Sequence, residues 1–451
     1  MKGSSGATLL TEGSIWKKII GFAVPLFLGN LFQQLYNTCD SLIVGNFIGS
    51  EALAAVSSSG SLIFLMVGLF NGVAMGAGVV IARYFGARDR EHLSRAIHAT
   101  VFFGIAAGLI LTAAGIALTP LLLRWMGTPE EVLPSSILYF RVYFAGILAV
   151  VLYNVAVGIL QAVGDSRHPL YYLVTSSCVN VVLDLLFVAV LGLGVGAAAL
   201  ATSIAQCLSA ILAFHRLCTT QGEYQVRWRQ VRYDGLMLRE ILRIGLPSGL
   251  QNSIISFANV IVQSSINRFG PDAMAGCGVY FKIEGFGFLP ITCFAMALST
   301  FVSQNLGAEK YDRVRKGARF GVLCSMAIAE LMGVAVCLLS PWLMAAFNRS
   351  PQVIGFGVTQ AHTETLFWFL LALSHCMAGI LRGAGKSKVP MLVMMVCWCI
   401  IRITYITVTL HFLPDIRVVF WAYPITWTLS AIAFAVYYHR ADWLHGERLK
   451  A

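Results

Sequence analysis

Apolar runs long enough to cross a bilayer recur from one end of the chain to the other, separated by short polar stretches. Twelve can be marked, at about residues 16–45, 53–82, 95–119, 133–160, 169–191, 196–217, 240–267, 274–303, 318–340, 356–381, 389–412 and 416–438. A run of this length in lipid satisfies its own backbone as a helix, so the pattern predicts twelve transmembrane helices. The first, second, eighth and tenth are longer than a bilayer needs, which tilt, bending or projection accommodates. The longest polar stretch, about 219–240, is too short to be a soluble domain. The expected fold class is therefore an all-α polytopic membrane protein.

Polar positions inside these runs carry the candidate chemistry. Asp40 lies in the first run, and helical steps back from it reach Asn37, Tyr36 and Gln33, with Gln34 beside them. A carboxylate in mid-bilayer costs roughly 2.5–3.5 kcal/mol on insertion scales, so Asp40 is expected to titrate or to bind an ion. In the fifth run Asn180 and Asp184 are four apart and share a face, with Ser177 one turn back. In the sixth, Thr202 and Gln206 are also four apart. Two carboxylates with an amide and a hydroxyl can cage a small hard cation, or share a proton. The residues alone do not choose between proton and sodium.

The seventh run carries a neutral stripe of Ser248, Asn252, Ser256, Asn259 and Gln263. It reads as a cavity lining or as hydrogen bonding between helices. The eighth run holds Lys282 and Glu284, two apart and so pointing differently; Glu284 can act in a cavity or pair with Lys282 or Arg402. Glu330, His375 and Arg402 are further polar residues within runs, and Glu364 and His362 read as lying near the outer mouth. Pro25 and Pro247 each fall inside a run, where a proline removes a backbone hydrogen bond and can kink the helix.

Composition supports the membrane reading. Of 451 residues, 58% are hydrophobic and 12% charged, against about 25% charged in a soluble protein. The net charge of +11 could suggest nucleic acid, but its placement explains it differently. Alternate loops on one side hold 25 of the 32 Lys and Arg residues, whereas the other side has Arg124, Arg268, Arg349 and Arg417. By the positive-inside rule both termini are expected in the cytoplasm, with an even number of spans in the inner membrane. Anionic lipid headgroups are then the natural contact of the basic loops. The eleven cysteines are scattered singly through apolar runs and read as small buried hydrophobes. No cleavable signal is evident. No phosphate-binding G-x-x-x-x-G-K-[ST] motif occurs, so an ion gradient is the expected energy source. No nucleophile–base or metal-ligand spacing supports an enzyme.

The two halves repeat. Pro25 and Asn30 match Pro247 and Asn252, and Phe85-Gly86-Ala87 matches Leu306-Gly307-Ala308. Gly158-Ile159-Leu160 matches Gly379-Ile380-Leu381, and Gly164, Ser166 and Pro169 match Gly385, Ser387 and Pro390. A near-constant offset across separated motifs predicts two six-helix lobes related by a pseudo-two-fold along the membrane normal, with a cleft between them. The expected lobes are 1–218 and 240–451, joined by a cytoplasmic linker at 219–239. The repeat sets Ile261 or Val262 opposite Asp40, Ile401 opposite Asn180 and Tyr405 opposite Asp184, so the halves share a scaffold and differ in chemistry.

From about Trp16 to Tyr438 the sequence resembles the multidrug and toxic compound extrusion (MATE) transporters. The resemblance rests on Pro25 with the Gln33–Asp40 segment, Gly86-Ala87, Gly158-Ile159-Leu160-Gln161-Ala162-Val163-Gly164-Asp165, Asn180 to Asp184, and Gln304-Asn305-Leu306-Gly307-Ala308. It implies a monomeric exporter of cationic or amphiphilic small molecules, driven by inward flow of protons or sodium. It implies a coupling site at Asp40, Asn180, Asp184 and Thr202, able to hold sodium, and no other cofactor. The acid that some members carry early in span 7 is missing from Gln251-Asn252-Ser253-Ile254-Ile255, while Glu284 matches an acidic position of other members. A lipid-linked oligosaccharide flippase of the same architecture is the alternative, and would need a strongly cationic cavity.

Overall fold

The computed structural model describes residues 8–47, 50–125, 130 and 133–444; the side chains of 39–47, 50–67, 69 and 195 lie outside the described set. Fifteen α-helices occupy the described chain. In order they are α1 (Ile15–Phe47), α2 (Ser50–Ala87), α3 (Arg90–Trp125), α4 (Leu133–Ala145), α5 (Ile147–Ala162), α6 (Arg167–Asp184), α7 (Val195–Thr219) and α8 (Gly235–Asn267). Then follow α9 (Pro271–Gly307), α10 (Tyr311–Phe347), α11 (Pro351–Glu364), α12 (Trp368–Gly383), α13 (Lys388–Met394), α14 (Arg402–Phe412) and α15 (Ile416–Arg440).

These helices make twelve long segments. α4 and α5 form one segment bent by 46°, and a 3₁₀ turn at Thr365–Phe367 joins α11 to α12. A π-helical stretch at Met395–Ile401 joins α13 to α14. Among the described residues nine segments are long and apolar enough to cross a bilayer, or ten with the bent pair. α8 falls short of that test although it has 33 residues, because its polar stripe dilutes the apolar run. Half of the side chains of α2 are outside the described set.

By packing the chain divides into two units: residues 1–9 with 24–246, and residues 10–23 with 247–451. The chain changes unit inside α1 just before Pro25 and inside α8 just before Pro247. A proline cannot donate its share of the helical ladder, so each crossing adjoins a locally weakened stretch of helix. In the first unit α3 packs on α5 and α6 on α7 around Phe140, Phe144, Ile147 and Val151. In the second, α9 touches α10, α11 and α12, and the core holds Phe301, Trp368, Phe420 and Phe434. Gly76 in α2 meets the backbone of Gly245 in α8 so closely that a Cβ would lie 2.5 Å from Gly245 N. Small residues allow that kind of approach, which drives helix association where lipid removes the hydrophobic contrast.

The repeat is visible in backbone geometry within each unit. Arg88 and Glu309, in corresponding places of the two halves, are the non-glycine residues with positive φ among the described residues, at 58° and 55°. They close α2 and α9 alike, with Asp89 N–H donating to Tyr84 O at 3.1 Å and Lys310 N–H to Asn305 O at 2.8 Å. These are left-handed helix ends that satisfy the last carbonyls. Gly164 and Gly385 repeat the device after α5 and α12, with φ of 82° and 81°.

The predicted linker is a packed part of the first unit. Arg90 Nε donates to Glu223 at 2.6 Å and Arg95 Nε to Asp234 at 2.8 Å. The second unit holds Leu10–Gly13 comparably. Leu10 N–H donates to Gln304 Oε1 at 2.9 Å, Lys310 Nζ to Thr11 O at 2.9 Å and Arg313 Nη1 to Gly13 O at 2.7 Å.

Candidate functional site

Two adjacent helices of the first unit assemble a polar centre. α6 places Asn180 and Asp184 one turn apart on one face, both fully buried, and α7 brings Thr202 against them. Two orientations of the Asn180 amide are compatible with its position. In one, Nδ2 lies 3.4 Å from Thr202 Oγ1. In the other it donates to Asp184 Oδ2 at 2.9 Å while its carbonyl accepts from Thr202 N–H at 3.1 Å. The second pairs both the donor and the acceptor of the amide, the orientation a buried amide takes. The Thr202 hydroxyl donates to Ala198 O at 3.1 Å, which leaves its lone pairs turned toward the centre. Gln206 follows one turn along α7, and its buried Oε1 has no hydrogen-bond partner.

The α6 helix ends at Asp184, where a π-helical stretch, Leu185–Val190, takes over. An extra residue per turn there widens the helix and breaks the regular ladder, a distortion that recurs at functional sites. The other π-helical stretch, Met395–Ile401, ends immediately before Arg402. Each thus adjoins a buried charged residue, Asp184 or Arg402.

α1 contributes the remaining predicted residues of this unit. A Cβ on Gly29 would lie 3.6 Å from Leu173 and 3.8 Å from Leu170, so α1 runs beside α6. Further along, Gln33 and Asn37 are exposed, and Gln34 and Tyr36 are half-buried. Asp40 belongs to α1 by its backbone, but its side chain lies outside the described residues. The described part of the predicted coupling set is therefore Asn180, Asp184 and Thr202, which the fold brings together. All three offer oxygen, the donor type of hard cations. No group of three or more His, Cys, Asp or Glu residues placed to hold a metal occurs among the described residues.

The second unit has a polar centre of a different kind. Glu364 ends α11 and is fully buried. Gln360 Nε2 donates to its Oε1 at 2.9 Å, whereas Oε2 has no hydrogen-bond partner. The backbone here leaves α11 for the 3₁₀ turn, so a residue near the end of a helical segment is folded inward. His362 is exposed, with Nε2 3.1 Å from Cys337 O. Arg402 is buried; Nη2 donates to Thr426 Oγ1 at 2.9 Å and Nε to the same oxygen at 3.2 Å. Its guanidinium sits 4.3 Å from the Tyr423 ring centroid and 5.6 Å from that of Trp398.

Arg402 is the charged neighbour of both Glu284 and Glu364, beyond ion-pair distance of either. Lys282 is exposed and points away from Glu284, as their spacing of two predicts. The Tyr280 hydroxyl is buried beside Glu364 without a well-formed hydrogen bond. Sequence reasoning missed Gln360 and Tyr280; the spacing of Gln360 and Glu364, four apart on one helical face, was the available signal. His375 stacks edge-on against Phe288 at 4.8 Å, and Glu330 stays half-buried.

The α8 stripe divides. Ser248 is buried, as is Gln251, whose Nε2 lies 2.8 Å from Met394 Sδ. Asn252 and Ser256 are half-buried and Asn259 is exposed; none of their side chains makes a hydrogen bond among the described residues. Gln263 donates to Asn267 of its own helix at 2.9 Å. Among the described residues the side chains of Asn252, Ser256 and Asn259 thus make no bond to another helix.

Comparison with known proteins agrees with this architecture. The MatE family model matches the chain twice, over residues 25–186 and again over residues 247–408, one copy in each half. The probable multidrug resistance protein YoeA of Bacillus subtilis is 26% identical over 437 residues, covering 95% of this chain and 94% of the relative. NorM of Thermotoga maritima, also named a probable multidrug resistance protein, is 26% identical over 84% of this chain and 82% of its own. Among solved structures, an outward-facing multidrug resistance MATE family transporter of the MOP superfamily superposes with a TM-score of 0.91 at 25% identity. The match covers 98% of this chain and 99% of the other. A MOP superfamily transporter from Pyrococcus furiosus gives the same score, identity and coverage. The repeat, the polytopic helical fold and both family matches lead to one conclusion: this chain is a multi-pass membrane protein of the two-lobed MATE architecture and belongs to the MATE family, whose members are transporters rather than enzymes.

Proposed function

We propose that this chain is a secondary antiporter that exports cationic and amphiphilic drugs in exchange for protons or sodium ions. The observation that carries the reading is the buried Asn180–Asp184–Thr202 cluster. A carboxylate enclosed within a membrane span is expensive and marks an ion or proton pathway. The relatives named as multidrug resistance proteins support drug export as the task. In this reading residues 1–218 and 240–451 are the two lobes, with 219–239 between them. Both termini face the cytoplasm, because the basic loops lie on that side.

The coupling ion enters from outside and binds at Asp184, Asn180 and Thr202, joined by Asp40 on α1. Gln33, Gln34, Tyr36, Asn37 and Gln206 face substrate in the N-terminal lobe; Asn252, Ser256, Asn259, Gln263 and Glu284 do so in the C-terminal lobe. Ion binding displaces the drug outward, and ion release to the cytoplasm resets the site. Alternating access then needs only that substrate and ion compete for one lobe's carboxylates. The chain works as a monomer in the inner membrane. A flippase for lipid-linked pyrophosphate would need a strongly cationic cavity, whereas the buried Arg402 is engaged by Thr426 and two ring faces.

The test is drug efflux from proteoliposomes under separately imposed sodium and proton gradients. One gradient should drive export, and Asp184→Asn should lower the driven rate at least about tenfold, the usual scale for a lost essential acid. Driven export at the normal rate by Asp184→Asn would refute the assignment.

A further inference from the structure

The second unit carries a cavity that the transport reading does not use. It has a volume of about 220 Å³ and opens between α10, α12 and the end of α15. Ala318, Val322, Met377 and Ile380 form an apolar floor, with Leu323 as an outer wall and Arg319 and Tyr438 at the rim. α10 is a strongly exposed segment. Only 17% of its most apolar window is buried, and Leu323, Leu331 and Leu338 are 65%, 72% and 68% exposed. In a membrane protein such a face meets acyl chains.

The rim is polar in one sense only. Arg315 stands one turn before Arg319 on α10, and both lie within electrostatic range of the Tyr438 hydroxyl. Neither arginine pairs with a carboxylate among the described residues. Elsewhere on the basic side, Arg90 and Arg95 are neutralised by Glu223 and Asp234, and Arg313 is consumed by the carbonyls of Leu10 and Gly13. Arg315 and Arg319 are thus a pair of spare cations above an apolar groove. Tyr438 also packs against Trp443, with ring centroids 4.9 Å apart, in the manner of aromatic residues at a membrane interface.

We infer that this groove is a seat for an anionic diacyl phospholipid, with one acyl chain lying between α10 and α12 and the phosphate held by Arg315, Arg319 and the Tyr438 hydroxyl. The volume accommodates roughly seven groups of water or methylene size, at about 30 Å³ each, which suits the upper part of one chain. An acyl chain gains little hydrophobic energy on leaving bulk lipid for an apolar groove. Selection must therefore come from the headgroup. Each arginine near an anionic headgroup is worth about fivefold in occupancy, so two give about 25-fold preference over a zwitterionic lipid.

The full-length protein in detergent, titrated with phosphatidylglycerol or phosphatidylcholine and read by native mass spectrometry, tests the seat. The wild type should retain phosphatidylglycerol about 25-fold better. Arg315→Gln with Arg319→Gln should bring the two lipids to parity while leaving the fold intact, because both side chains are exposed. Val322→Trp, which fills the groove, should reduce retention of both lipids. Equal retention by the wild type, or a preference that survives loss of both arginines, overturns the proposal. So does unchanged retention in Val322→Trp. A groove occupied by a second copy would show as dimer that Val322→Trp disperses, with no lipid dependence, and would equally overturn it.

Discussion

Arg402 is held by one hydroxyl and two ring faces, yet its nearest charges are the carboxyl groups of Glu284 and Glu364. A guanidinium tolerates such surroundings because it is weakly hydrated and stacks on aromatic faces. Removing the guanidinium loses its hydrogen bonds to Thr426 and its stacking on Tyr423, and leaves the two acids without a cation nearby. Arg402→Met, similar in length and able to fill the space over Tyr423, should therefore destabilise the protein by about 1–3 kcal/mol. Adding Glu364→Gln should recover much of the loss, since it removes one acid and keeps a side chain that Gln360 can bond. Thermal unfolding of the three variants in one detergent checks this. Arg402→Met melting with the wild type would mean the guanidinium compensates nothing. The Asp184 centre differs at this scale: it is small, and among its described members it holds a carboxylate with neutral partners, a composition suited to binding a positive charge from outside.

At the scale of the element, the segment from Glu223 to Asp234 gains its order from contacts to α3. The Arg95 side chain, through its hydrogen bond, holds the Asp234 carboxyl below the usual carboxylate range. A carboxyl depressed in the folded state stabilises it above the unfolded value, near 3.9, and that contribution fades as pH falls through the folded value. Docking of this segment should be constant from neutral pH down to about 5 and loosen below about 4. Hydrogen exchange over residues 227–236, with labelling times scaled for intrinsic rate, should show faster exchange at low pH. Asp234→Asn should show it at pH 7 as well. Protection that persists at low pH in the wild type would contradict the role of the pair.

Sequence reasoning could not see this docking, because a charged stretch between apolar runs looks the same whether solvated or packed. By contrast, the helical segments and the Asn180–Asp184–Thr202 grouping were legible. Lipid forces long apolar runs into helix, and two polar residues four apart must share a face. The burial of Glu364 was not legible: burial at a 3₁₀ break is set by the path of the backbone, and no periodicity encodes it. The left-handed Arg88 and Glu309 were hidden too, since neither is the glycine that such a φ favours.

At the scale of the whole molecule, the duplication supplies scaffold and not chemistry. The two family matches, one in each half, agree with the paired helix ends at Arg88 and Glu309 and at Gly164 and Gly385. The polar centres, however, do not correspond. Among the described residues the first unit groups Asp184 with Asn180 and Thr202, whereas the second groups two acids near a resident guanidinium. A resident cation competes with any cation arriving from solution, so the second centre is poorly suited to exchange a coupling ion. Under the proposed function this difference predicts an asymmetry between the lobes. Glu284, half-buried and near Arg402, should affect which substrates are carried and not whether a gradient drives them. In proteoliposomes, Glu284→Gln should shift the relative efflux rates of monovalent and divalent cationic dyes by about tenfold, the scale of one partly buried charge contact. It should leave the ratio of driven to passive flux as in the wild type. Asp184→Asn should do the reverse, collapsing the driven flux for every dye alike. If Glu284→Gln removed driven flux while dye binding persisted, coupling would be shared between the lobes, and the asymmetry read from their chemistry would fail.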